Sequence, residues 1–164
     1  MDIRLKRIAD QVIVITGASS GIGLTTALRA ARAGASVVLA ARNERVLMRI
    51  VGDIEAIGGQ ATYVVADVAV ERDVQHIADV AIREFGGVDS WVNNASTSIF
   101  GRLAEVPLAD MRRLFDVNFW GVVHGCQAAV PTCASAVARS STSEACCRTA
   151  RSRCRGSTPP PSTP

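Results

Sequence analysis

The chain has 164 residues, 48% of them apolar, and a formal net charge of +3. This is enough chain for one domain with its own core, and no apolar run approaches the ~20 residues that span a bilayer. The charge belongs to one end: residues 1–131 carry 13 basic and 14 acidic side chains, whereas residues 132–164 carry five Arg and the single acid Glu144. With no basic face on the body, no nucleic-acid partner is expected.

Met1 to Lys6 lacks an apolar segment of signal-peptide length, so a cytoplasmic protein without membrane contact is the expectation. Val12 to Ile15 is a β-branched apolar run ending at Thr16-Gly17, the pattern of a strand buried on both faces. A helix is predicted from Gly21 to Ala33, stopped by Gly34, then a second strand over Ser36 to Ala40. Glu44 to Ile57 has helical apolar spacing and ends at Gly58-Gly59; Ala61 to Ala66 is the third strand. Val70 to Phe85 forms a third helix before Gly86-Gly87, and Val88 to Val92 a fourth strand leading into Asn93-Asn94-Ala95. One long helix is predicted from Leu108 to Ala129. This alternation implies an α/β fold, a Rossmann-type doubly wound parallel sheet with right-handed crossovers. Only its first four strands are visible, so residues 1–131 read as a nucleotide-binding half-domain.

The turn Thr16-Gly17-Ala18-Ser19-Ser20-Gly21-Ile22-Gly23 joins the first strand to the first helix. Gly17 permits a tight exit from the strand, Gly21 lets backbone approach a pyrophosphate, and Gly23 lets helix and strand pack closely. The helix N-terminus adds free N–H groups and a positive dipole for the anion. After the second strand stands Ala41-Arg42-Asn43, with no acid until Glu44. An acid there would bind a ribose 2′-hydroxyl; Arg42 suits a 2′-phosphate, or is simply a solvated arginine. NADP is therefore favoured over NAD.

Four segments in this order resemble the short-chain dehydrogenase/reductase family: the turn at 16–23, Asp67-Val68 after the third strand, Asn93-Asn94-Ala95-Ser96 after the fourth, and Asp116-Val117-Asn118 in the long helix. Ser96 replaces the family's usual glycine. The resemblance implies a cofactor site made by Gly17, Ser19, Ser20, Gly21, Ile22, Gly23, Arg42, Asp67, Val68, Asn94 and Ala95, with Asp67 beside the adenine. It implies that Asn118 holds a water in the catalytic proton relay. It also implies hydride transfer between nicotinamide and a small carbonyl or alcohol substrate, and a homo-oligomer. No metal site is expected: Cys126 is alone in the body, and Cys133, Cys146, Cys147 and Cys154 lack metal-ligand spacing.

The family's acid/base Tyr, the Lys that lowers its pKa, and the Ser on the reacting oxygen should follow the long helix. This chain has no Tyr after Tyr63 and no Lys after Lys6. Residues 132–164 contain no Leu, Ile, Met, Phe, Tyr or Trp, and one Val, Val137. Such a segment reads as a disordered low-complexity extension; a basic nucleic-acid arm is disfavoured because no aromatic residue is present to stack on bases. A reading-frame shift near Pro131 accounts for it. Back-translated with GC-leaning codons and read two bases on, the segment becomes an apolar strand ending in Ser, followed by Y-x-x-x-K. The shifted codons admit Ser or Gly at Glu144/Ala145, and Tyr, His, Asn or Asp at Ser157/Thr158. At Pro161/Ser162 they admit Lys, Gln or Glu. A related epimerase or dehydratase would need the same Tyr and Lys. The 164 residues are thus expected to be a non-catalytic nucleotide-binding remnant of an oxidoreductase. With strand four left as an edge, marginal stability and self-association are expected.

Overall fold

Each β-branched run becomes a strand, and each helix that follows lays its apolar stripe back on the sheet. The computed structural model describes residues 6–137, with side chains through Thr132. A 3-10 turn over Ile8–Asp10 precedes β1 (Val12–Thr16), α1 (Gly21–Arg32), β2 (Ser36–Ala41), α2 (Glu44–Glu55), β3 (Gln60–Val65), α3 (Glu71–Phe85) and β4 (Ser90–Val92). Then come α4 (Leu108–Phe115), a π-helical turn over Asp116–Trp120, and α5 (Gly121–Val137). The sheet is wholly parallel in the order β3-β2-β1-β4, with Ile13 opposite Val37 and Ser90.

Period-two alternation along β1 and β2 splits the core. Val14, Val38, Ala40 and Val64 face α3 and α5 through Val74, Ile77, Ala81 and Ala128. Ile13, Ile15, Val37 and Leu39 face α1 and α2 through Ala27, Ala31, Leu47 and Ile54. Fully burying a side chain such as Ile15 or Leu39 contributes about 1.5–3 kcal/mol. Local chemistry sets the helix ends. The Asn43 side chain accepts the Val46 N–H at 3.2 Å and so caps α2. Gly86 ends α3 in the left-handed region at φ 82°.

Two expectations change. The single helix predicted over 108–129 is present and continuous but contains a π turn over Asp116–Trp120, where the Asn118 side chain reaches away to the Thr97 backbone. α5 also continues through Pro131 to Val137, eight residues past the helix end expected at Ala129. The Thr132 hydroxyl lies 3.1 and 2.8 Å from the Ala128 and Ala129 carbonyls. The rest of the expected tail, residues 138–164, lies outside the described residues, as do Cys146, Cys147 and Cys154. Among the described residues no strand pairs with the outer edge of β4, and no helix is long and apolar enough to cross a membrane.

Candidate nucleotide site

The C-terminal ends of β1, β2, β3 and β4 converge on a cleft of about 480 Å³, within the range that holds organic ligands. Its floor is a polar knot that ties the β1 turn to the loop after β4. Thr16, only 2% exposed, accepts the N–H groups of Asn94 and Ala95 on its hydroxyl at 3.0 and 3.1 Å. The hydroxyl also donates to the Val92 carbonyl at 3.3 Å. The Asn94 amide donates to the carbonyls of Thr16 and Gly17 at 3.0 and 3.1 Å.

The three glycines have distinct reasons to be glycine. A Cβ on Gly17, which has φ 65°, would sit 2.7 Å from the Ala95 Cα. One on Gly23 would overlap the Gly17 carbonyl oxygen and lie 2.5 Å from the Asn94 amide nitrogen. Gly21 is different: at φ 56° it is left-handed, yet a Cβ there would meet nothing within 4 Å. Its lack of a side chain leaves open space above the helix end. The first N–H groups of α1 have no partner inside the helix, and Ser20 caps none of them with its side chain. Free donors, a positive helix end and room suit a pyrophosphate.

Gly17, Ser19, Ser20, Ile22, Arg42, Asp67, Val68, Asn94 and Ala95 all line the cleft. Gly21 and Gly23 lie in the turn behind it, and Asn118 does not line it. Both ends of the Asn118 carboxamide are engaged: its oxygen accepts the Thr97 N–H at 2.9 Å and its nitrogen donates to the Thr97 carbonyl at 2.8 Å. Asn118 therefore positions the loop that carries Thr97, which itself lines the cleft.

Arg42 follows β2 directly, is exposed, and forms no hydrogen bond or ion pair among the described residues. Asp67 is bound at both oxygens. Oδ1 accepts the Ala69 N–H at 3.0 Å, and Oδ2 accepts from Arg113 Nη2 at 2.5 Å. Burial opposes its ionisation, but the Ala69 N–H, the Arg113 guanidinium and the charge of Arg42 together hold its carboxyl below the usual range.

The sequence reading missed two contributors. Thr16 carried a signal, as the polar residue closing an apolar strand. Arg113 carried none, because only the packing of α4 brings it 46 positions back to Asp67.

Replacing Asn94 by Ala should unfasten the knot, leaving the Thr16 and Gly17 carbonyls without their side-chain donor. The expected cost is about 2–4 kcal/mol, from two part-buried acceptors at about 1–3 kcal/mol each after partial rehydration. Denaturant unfolding measures it, and a loss below about 0.5 kcal/mol would contradict the knot's role.

A family model for the short chain dehydrogenases matches residues 11–141. The chain belongs to that family. It is 55% identical over 128 residues to the uncharacterised oxidoreductase YxnA of Bacillus subtilis, covering 78% of this chain and 36% of that protein. A short-chain dehydrogenase/reductase from Burkholderia phymatum, solved with NAD, superposes with a TM-score of 0.75 at 37% identity, over 78% of this chain and 46% of that one. L-Sorbose reductase from Gluconobacter frateurii, solved with NADPH and L-sorbose, gives 0.74 at 31% identity, over 83% and 51%. The chain thus spans between about a third and a half of these family members. Members of the family solved with NAD and with NADPH share its fold.

Proposed function

We propose that these residues are the cofactor-binding half of an NADP-dependent oxidoreductase, which moves hydride between nicotinamide and a small carbonyl or alcohol substrate. The observation that carries the reading is Arg42: a guanidinium at the end of β2, on the cleft, with no ion pair among the described residues and no acid following it until Glu44, where one would take a ribose 2′-hydroxyl. The glycine turn would hold the pyrophosphate, and Asp67 would face the adenine. The bound cofactor would supply the hydride. The chain's own residues bind and orient it.

By themselves the 164 residues bind without turnover on this reading, since a Tyr acid/base with a cationic neighbour is missing beyond Tyr63 and Lys6. Tyr63 does not substitute: its hydroxyl lies 3.4 Å from Glu44 and does not line the cleft. Titration of the purified chain with NADPH and NADH, followed by assay on carbonyl compounds, tests both parts. Binding with a preference for NADPH and no hydride transfer is expected. Turnover would overturn the inactive reading, and failure to bind either cofactor would overturn the whole of it. A frame shift near Pro131 explains the missing segment, and resequencing the DNA decides that point.

Self-association is also expected. Phe115, Phe119 and Trp120 are 63%, 54% and 50% exposed along α4 and the π turn, and among the described residues no strand pairs with the outer edge of β4. Sedimentation velocity should show weight-average mass rising with concentration; a monomer at all concentrations would contradict it.

A further inference from the structure

Helix α4 has no fully buried residue, yet one of its side chains reaches into the cleft floor. We propose that Arg113 is a positioning residue for adenine recognition, clamping the Asp67 carboxylate so that it presents one orientation to the base. The inference rests on the proposed reading of Asp67 as the adenine-facing group.

The geometry supports a clamp. A free aspartate rotates about two side-chain torsions, and recognition of an exocyclic amino group needs one rotamer. Asp67 is pinned from both sides, by its own loop through Ala69 and by α4 through Arg113. The Asp67 backbone N–H also donates to Asp73 at 3.2 Å, tying the loop to the start of α3. Each carboxylate oxygen keeps a second lone pair, so a held Asp67 can still accept from the ligand. Arg113 and Asp67 both line the cleft, and their side chains are 40% and 27% exposed. At that exposure the pair contributes little to overall stability. Its use therefore lies in orientation.

The test compares NADPH with its hypoxanthine analogue, in which a carbonyl replaces the adenine amino group. Binding of each to the full chain is followed by nicotinamide fluorescence. The unsubstituted chain should prefer NADPH by about tenfold, the value of one charge-assisted hydrogen bond. R113M, which keeps the aliphatic stem, should reduce that ratio to about twofold. R113K, which keeps the charge, should restore part of it. A ratio unchanged in R113M, or equal weakening of both ligands, would overturn the clamp, because a merely structural role lowers both affinities together. Should R113M not fold, R113K decides: a ratio equal to that of the unsubstituted chain overturns the proposal. If the unsubstituted chain binds NADPH without discriminating, the reading of Asp67 fails, and the clamp with it.

Discussion

Gly23→Ala is expected to abolish cofactor binding and to destabilise the fold by about 3 kcal/mol or more. The new methyl group would overlap the Gly17 carbonyl and crowd the Asn94 amide to 2.5 Å. Neither neighbour has room to yield, since both belong to the knot that joins β1 to the loop after β4. Overpacking of this kind costs about 1–3 kcal/mol, and the broken buried hydrogen bonds about 1–3 kcal/mol more. Gly21→Ala provides the contrast. Its methyl group meets no protein atom, and the left-handed backbone costs only about 1–2 kcal/mol. It strains the turn proposed to hold the phosphates, so binding should fall at least tenfold while most of the stability remains. Thermal melts and NADPH titrations of the two variants separate these outcomes. A Gly23→Ala protein that melts and binds like the unsubstituted chain would refute the close-packing account.

Arg42→Glu should reverse the cofactor preference. The unsubstituted chain is expected to bind NADPH about 10- to 100-fold more tightly than NADH, which corresponds to the 1.5–3 kcal/mol typical of hydrogen bonds to a charged group. Arg42 is free to make them, because no side chain among the described residues occupies it. Glutamate removes the donors, repels a 2′-phosphate and offers an acceptor to a 2′-hydroxyl. NADPH affinity should fall about 100-fold or more, while NADH affinity holds or rises. Competitive titration of the two reduced cofactors measures both. Equal affinity for the two in the unsubstituted chain would remove the case for NADP.

Strand and helix order were legible because the relevant forces are local. Short β-branched runs bounded by turns favour strands, glycines at helix ends favour stops, and their alternation favours a parallel sheet with both faces covered. The glycine turn was legible for the same reason: 16–23 lies wholly between one strand and one helix. The π turn within the long helix was not legible, because Leu108 to Ala129 is helical in pattern throughout. The turn carries Asn118, which pairs with Thr97, 21 positions away. The helix end expected at Ala129 lies instead at Val137. Composition changes at Pro131, but the backbone of residues 132–137 stays helical because nothing after the proline forbids it.

The sequence by itself determined the family, the topology and the glycine turn between β1 and α1, since each follows from short-range pattern and from motifs in a fixed order. Only the tertiary structure decided how the site is held together: Thr16 and Asn94 as the knot beneath the cleft, Asn118 as support for the loop at Thr97, and Arg113 beside Asp67. The physical reason is separation along the chain. These contacts join residues 21 to 79 positions apart, and no local propensity encodes a hydrogen bond whose two partners meet only after the sheet has formed.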